Sequence, residues 1–284
     1  MRTTLIERMR KRECHVSIIG LGHVGFPLIK LVSERGFKVV GLDVDTEKVD
    51  RVSREGIAAT TDPGAALNQA DCIIICVPTP IDDDYRPDLS IARSVSETIA
   101  DHLKKGALIV LESTVAPGTT EEVIVPILER SGLGAGKDFF VAHCPERIDP
   151  GNTKWTVRNI PRVVGGINNE STDIAYAFYR ELLDAEIIKV STVKTAEAVK
   201  IVENAFRDIN IAFVNELAKS FDKIGIDVTE VIKGASTKPF GFMPHYPGCG
   251  VGGQCIAVDP YYLIERAGKS GFNHRFLKLA REIN

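Results

Sequence analysis

The sequence predicts an α/β protein. A doubly wound, Rossmann-like sheet comes first, and an all-helical dimerisation domain built on one long spine helix follows it. Three observations predict this. Short β-branched runs alternate with amphipathic segments through the front of the chain, the pattern of a largely parallel sheet. A glycine turn, Gly20-Leu21-Gly22-His23-Val24-Gly25, sits between the first such run and the first helical one. Finally, neither Gly nor Pro occurs from Ile167 to Ile224.

The elements follow in order. The basic opening "MRTTLIERMRKRECH" is too polar for the apolar segment of a signal peptide and carries Glu7 and Glu13, so it reads as a short helix or extension. "HVSII" is a strand, the turn follows, and a helix runs to Gly36. "KVVGLDVD" is the second strand and ends in Asp43. This is the arrangement of a dinucleotide site. Gly20 permits the tight turn, Gly22 lets a pyrophosphate approach the backbone beside His23 and Val24, and Gly25 lets helix and strand pack closely. The helix N-terminus faces the phosphates. Asp43 is placed to accept hydrogen bonds from an adenosine ribose, and its charge repels a 2′-phosphate, which favours NAD over NADP. Further strands are read in "CIIICVPTP", "ALIVLEST", "FFVAHCPE", "RVVGG" and "EIIKV", with helices in "TEEVIVPILERSG" and "STDIAYAFYRELL". In such sheets ligands sit beyond the carboxyl ends of the strands. The polar tails there are Pro78-Thr79-Pro80, Glu112-Ser113-Thr114 and Cys144-Pro145-Glu146-Arg147.

The pattern over 193–224 is helical, a rod of roughly 48 Å at 1.5 Å per residue. Ser191 and Thr192 are candidate caps, and the apolar stripe suggests a homodimer spine. Lys200 and Asn204 share a face, with Glu197 one turn earlier. Taken alone, Lys200 reads as a solvated lysine, whereas asparagine in mid-helix calls for a reason. The expected division is 1–190 for NAD binding and 191–284 for the helical domain.

Composition narrows the function classes. A net charge of -3 gives no reason to expect nucleic acid or an anionic membrane as partner. The longest apolar stretch, around "CIIICV", is far shorter than a membrane span, and a cytoplasmic location is expected. The six cysteines, at 14, 72, 76, 144, 249 and 255, form no CxxC pair and are expected to be reduced. The six histidines show no metal spacing, so no metal is expected.

One stretch is unexplained by the fold. "PGCGVGGQCIAVDP" crowds glycines around Cys255, with Asp259 four residues on. At this point the chain resembles the UDP-glucose/GDP-mannose dehydrogenase family. The resemblance rests on "GLGHVG", "VPTP", "ESTVAPGTTEE", "CPERIDPGN", "KIVENAFRDINIAFVNE" and "GVGGQCIAVDP", in order over nearly all of 15–265. "ENAFRDINIAFVNE" and "PERIDPGN" resemble the N-acetylhexosamine branch, and "KPFGFMPHYPG" leans to UDP-N-acetylglucosamine as substrate. The resemblance implies a four-electron oxidation of a primary alcohol to a carboxylate using two NAD and a cysteine. It makes Cys255 the nucleophile and Lys200 and Asn204 the pair that stabilises developing oxyanions. Asp259 and Glu146 become carboxylates handling protons and the hydrolytic water, and Thr114 the threonine beside that water. Cys249 carries no role. Gln254 and Ala257 depart from the branch, which usually has His and Pro there. A third, C-terminal domain gripping the uridine diphosphate is also implied and is expected to be absent from this chain, which stops within the expected connecting helix "FNHRFLKLAREIN". Two other readings remain at this point: a two-electron β-hydroxyacid-type dehydrogenase, and a catalytically silent NAD-binding dimeric fragment.

Overall fold

The computed structural model describes residues 2–149, 151–253 and 255–284, so Gln254 and Pro150 lie outside the described residues. Two compact units result. One is the chain up to Thr79 with Asp88–Lys200; the other is Pro80–Pro87 with Ile201–Asn284.

The first unit is an eight-stranded sheet between two layers of helix. Its strands are β1 (His15–Ile19), β2 (Lys38–Leu42), β3 (Ala58–Thr60), β4 (Cys72–Ile75), β5 (Leu108–Leu111), β6 (Phe140–His143), β7 (Arg162–Gly166) and β8 (Ile187–Lys189). They lie in the order β3-β2-β1-β4-β5-β6-β7-β8. All neighbours pair parallel except β6 and β7, which run antiparallel. Every strand read from the sequence is present. The addition, β3, is a three-residue edge strand without a fully buried residue, so no apolar run announces it.

The strand period of two divides the core between the sheet's faces. Val16, Ile18, Cys72, Ile74, Leu108, Val110, Phe140 and Ala142 point to one side, where α1 (Arg2–Arg10), α2 (Gly25–Glu34) and α7 (Asn169–Leu182) contribute Met9, Leu28, Val32, Phe178 and Tyr179. Ile19, Ile73, Ile75, Ile109, Leu111 and Val141 point to the other. There they meet α4 (Pro63–Leu67), α5 (Ser90–His102) and α6 (Val125–Leu128), while α3 (Thr46–Arg54) links β2 to β3. Both faces of the central strands are therefore dry, as a parallel sheet requires. His143 shares this burial: among the described residues neither ring nitrogen has a partner, and burial lowers its pKa to about 3, so it is neutral.

The spine helix, α8 (Val193–Lys223), runs 31 residues from the first unit into the second. Thr192 caps it, its hydroxyl accepting from Thr195 N at 3.1 Å. The rest of the second unit is helical: α9 (Val228–Ala235), α10 (Asp259–Lys269) and α11 (Arg275–Ile283). Asp208 of α8, fully buried, accepts from Arg281 at 2.5 Å and from Asn284 at 2.9 Å, which ties α11 to the spine. Among the described residues no helix is long and apolar enough to cross a membrane.

Candidate active site

The glycine turn joins β1 to α2, and each glycine has its own physical reason. Gly20 has φ +89°, which only glycine adopts without strain, and a Cβ there would lie 2.6 Å from the Cys76 carbonyl oxygen. At Gly25 a Cβ would lie 1.8 Å from the Gly20 carbonyl oxygen, so helix and turn are in backbone contact. At Gly22 a Cβ would meet no heavy atom within 4 Å. That gap suits the close approach of a ligand's phosphates. Val24, the cap residue of α2, makes no side-chain cap hydrogen bond, whereas α3 and α7 are capped by Asp45 and Asn168. At the start of α2, Phe26 N already donates to the Gly22 carbonyl at 3.0 Å and Pro27 has no N–H, so what favours an anion there is the positive end of the helix dipole rather than a row of free amides.

Asp43 is buried at the end of β2. Its Oδ2 accepts from Leu21 N at 2.7 Å and its Oδ1 from Asp45 N at 3.0 Å. The acid thus braces the turn, and a carboxylate's four lone-pair positions leave two for ribose hydroxyls. His23 is exposed and Val24 half-buried at the turn. These residues fit NAD: a bare backbone where the pyrophosphate must come, an uncapped helix and a carboxylate one strand over.

The strand tails of the first unit meet along one sheet edge. Thr79 donates its hydroxyl to the Thr114 carbonyl at 2.7 Å, next to an exposed Pro78, and Ser113 does the same to Val77 at 2.7 Å. Beyond β6, Glu146 accepts from Lys200 Nζ at 3.0 Å and from Ile148 N at 2.7 Å. Lys200 is only 6% exposed, against the surface reading its sequence context suggests, because Glu146 supplies the countercharge a buried ammonium needs. One turn earlier on α8, the carboxylate of Glu197 accepts from Gly118 N and Thr120 N.

Behind that edge lies a fully buried cluster the sequence did not signal as a unit. Glu112 accepts from Tyr179 at 2.5 Å and from Arg162 at 3.3 Å, and Arg162 also donates to the Pro145 carbonyl at 2.9 Å. Burial pushes the Glu112 carboxyl up, with the Arg162 guanidinium pulling it back. The cluster props the turn on which Glu146 sits. Its signal was slight: an arginine opening an otherwise apolar strand.

In the second unit, Asn204 donates to Asp259, and both are buried. Asp259 opens α10, and its N–H donates to the Cys255 carbonyl at 2.9 Å. The Cys255 carbonyl also accepts from Val258 N, so the cysteine sits on the turn that starts α10, and its side chain is exposed. Ala257, in the same turn, is half-buried. The glycine loop before it is anchored where Gly248 N donates to Asn215 at 2.9 Å. Gly250, with φ +91°, packs so closely on Asn284 that a Cβ would lie 2.3 Å from its carbonyl oxygen. Cys249 is exposed. Among the described residues no cluster of His, Cys, Asp or Glu is suited to hold a metal.

Comparison with known proteins adds the context. The NAD binding domain model of the UDP-glucose/GDP-mannose dehydrogenase family matches residues 14–59 and 52–183, and the family's central domain model matches 194–284. The chain is 41% identical over 292 residues to the UDP-N-acetyl-D-glucosamine 6-dehydrogenase of Pseudomonas aeruginosa, covering 96% of this chain and 68% of that one. It is 37% identical to a UDP-N-acetyl-D-mannosamine dehydrogenase of Methanococcus maripaludis, covering 95% and 64%. A solved UDP-D-ManNAc dehydrogenase from Pyrococcus horikoshii superposes with a TM-score of 0.87 at 34% identity, over 95% of this chain and 68% of that one. The chain thus spans about two thirds of the length of the relatives it matches.

Proposed function

The chain belongs to the UDP-glucose/GDP-mannose dehydrogenase family, and from that premise we propose that it carries out the NAD-dependent, four-electron oxidation of a UDP-N-acetylhexosamine at C6, giving the uronate. The sugar we propose is UDP-N-acetylglucosamine, on the similarity to the Pseudomonas aeruginosa enzyme and on the stretch "KPFGFMPHYPG". The observation that carries the reading is the burial of Lys200 and Asn204, four residues apart on α8, each against a carboxylate, Glu146 and Asp259. A cation and an amide held in this way are preorganised to meet an oxyanion rather than water.

The roles follow from that chemistry. Gly20, Gly22, Gly25 and Asp43, with His23, Val24, Pro78, Thr79 and Thr114, bind the cofactor. Two NAD molecules, bound in turn, would supply the hydride acceptor, one for the alcohol and one for the thiohemiacetal. Lys200 and Asn204 stabilise the negative charge that develops on O6 in both oxidations. The Cys255 thiolate adds to the aldehyde carbon and holds the sugar covalently, first as thiohemiacetal and then as thioester. Glu146 and Asp259 move the protons and direct the hydrolytic water, which Thr114 helps to hold, and hydrolysis returns the thiol. Residues 1–190 form the NAD-binding domain in this reading and 191–284 the central domain. The test is NADH formed per mole of sugar with UDP-N-acetylglucosamine and UDP-N-acetylmannosamine side by side. Two NADH per sugar, faster with the gluco epimer, is the expected result. A yield of one makes the chain a two-electron dehydrogenase.

We also propose that a second copy packs on α8. Val202, Phe206 and Phe213 are all about half exposed, at 58%, 45% and 52%, and their spacing of four and seven puts them on one face. A dimer in sedimentation that Phe206→Asp converts to monomer is the expected outcome; a monomeric parent chain refutes it.

A further inference from the structure

Glu197 is fully buried, and its role is not accounted for by the groups named above. Its carboxylate accepts from Gly118 N at 2.5 Å and from Thr120 N at 2.8 Å. These amides open a π-helical turn, Thr120–Ile124, whose own cap residue, Thr119, makes no side-chain cap hydrogen bond. Turns of this kind are rare and gather at functional sites. The segment from Thr114 to Thr120 is therefore pinned at both ends. At its start Thr79 holds the Thr114 carbonyl, and at its end Glu197 holds two amides. In the middle, Thr119 N donates to the Ala116 carbonyl at 3.0 Å.

The charged groups around Glu197 are already engaged. Glu121 and Glu122 on the π-turn pair with Lys194 of α8 at 3.1 and 3.7 Å, and Lys200, one turn on, pairs with Glu146. Among the described residues no cation pairs with Glu197. Burial raises its pKa to about 7, Glu121 adding to the rise and the hydrogen bonds from Thr120 and Gly118 opposing it. The proton is therefore retained in the folded state between the ordinary value of 4.5 and about 7. Against global unfolding that proton's stabilising effect is full below 4.5 and is lost as pH rises through 7, whereas within the fold the hydrogen bonds from Thr120 and Gly118 favour the anion.

We propose that Glu197 is a positioning residue for the oxidation proposed above: ionised, it fixes the Thr114–Thr120 segment through two backbone amides, and protonation loosens that hold. The physical reason is acceptor capacity. Two anionic oxygens serve two N–H groups, whereas a carboxylic acid turns one of them into a hydroxyl, a poorer acceptor. The inference rests on the proposed reaction for its kinetic consequence, but the hold itself is independent of any substrate.

Amide hydrogen exchange at residues 118 and 120, corrected for intrinsic pH dependence, tests it at pH 6 and pH 8 in the parent chain and Glu197→Gln. At pH 8 the parent is expected to protect both amides roughly 10- to 100-fold more than the variant, the range for a charge-assisted hydrogen bond, and the difference should shrink at pH 6. With UDP-N-acetylglucosamine, kcat of the parent should rise between pH 6 and 8 at unchanged sugar KM, while Glu197→Gln stays on the low plateau. Equal protection at pH 8, or the same kcat profile in both proteins, overturns the proposal. A parent that oxidises no sugar refutes the reaction proposed above and leaves the exchange result to decide the hold. If Glu197→Gln does not fold, Glu197→Asp replaces it. It keeps the charge but is one methylene short, so protection should fall at 118 and 120 alone, and unchanged protection there counts against the hold.

Discussion

Cys255→Ser should leave a folded chain that still binds NAD but stops after one hydride. The side chain is exposed on the turn before α10, and the turn's hydrogen bonds come from the residue's carbonyl, so the substitution should change stability by no more than about 0.5 kcal/mol. Chemically it removes everything the second oxidation needs. A serine hydroxyl is un-ionised near neutral pH, adds poorly to an aldehyde without an adjacent base, and leaves poorly from an ester. In the proposed mechanism the first oxidation needs a hydride acceptor, proton removal by Glu146 or Asp259 and a stabilised O6, for which Lys200 and Asn204 are proposed, and none of these is the thiol. NADH yield should fall from two per sugar to at most one, and uronate formation should drop on the order of 10³-fold. Hydroxylamine trapping should then capture the C6 aldehyde. Cys249→Ser, also exposed and six residues earlier, is the control expected to change nothing. Two NADH at the parent rate from Cys255→Ser would end the covalent mechanism.

What the sequence disclosed depends on whether the deciding interaction is local. The strand, turn and helix around Gly20–Gly25 were legible because the strand, the glycine turn and the helix are consecutive and Gly25 packs on Gly20 and Ile18 close by, although Gly20 itself packs on Cys76 and Val77, more than fifty residues on. The long helix was legible because a 3.6-residue period over 31 residues has no competing explanation. Strand direction was not: "RVVGG" shows an apolar run, and only the pairing of Ala142 with Gly166 reveals that β7 runs antiparallel to β6. Nor was the burial of Lys200, since its partner Glu146 lies 54 residues away. Glu197 fell between the cases. Its spacing from Lys200 was plain, but the two amides it holds come from a loop 77 and 79 residues back. Hydrogen bonds of that span leave no trace in a local pattern.

The glycine turn yields the sharpest separation of folding from binding, because two glycines three residues apart should respond oppositely to the same methyl group. Gly25→Ala places a Cβ 1.8 Å from the Gly20 carbonyl oxygen, a backbone atom held by the turn. No rotamer relieves that contact, so α2 must move off β1 and expose part of the face that buries Leu28, Ile29, Leu31 and Val32. A loss of about 3 kcal/mol or more, or failure to fold, is expected in urea unfolding. Gly22→Ala meets no heavy atom within 4 Å, and Gly22 is not among the residues with positive φ. Its stability should be unchanged or higher by a few tenths of a kcal/mol, through a less flexible unfolded chain. Its methyl group, however, stands in the gap proposed for the approach of the pyrophosphate to the backbone. NAD affinity in calorimetry should therefore fall about 10- to 100-fold, a binding penalty of roughly 1.4–2.8 kcal/mol. If Gly22→Ala binds NAD as the parent does, the turn is a packing device only, and the cofactor's phosphates must lie elsewhere along the sheet edge.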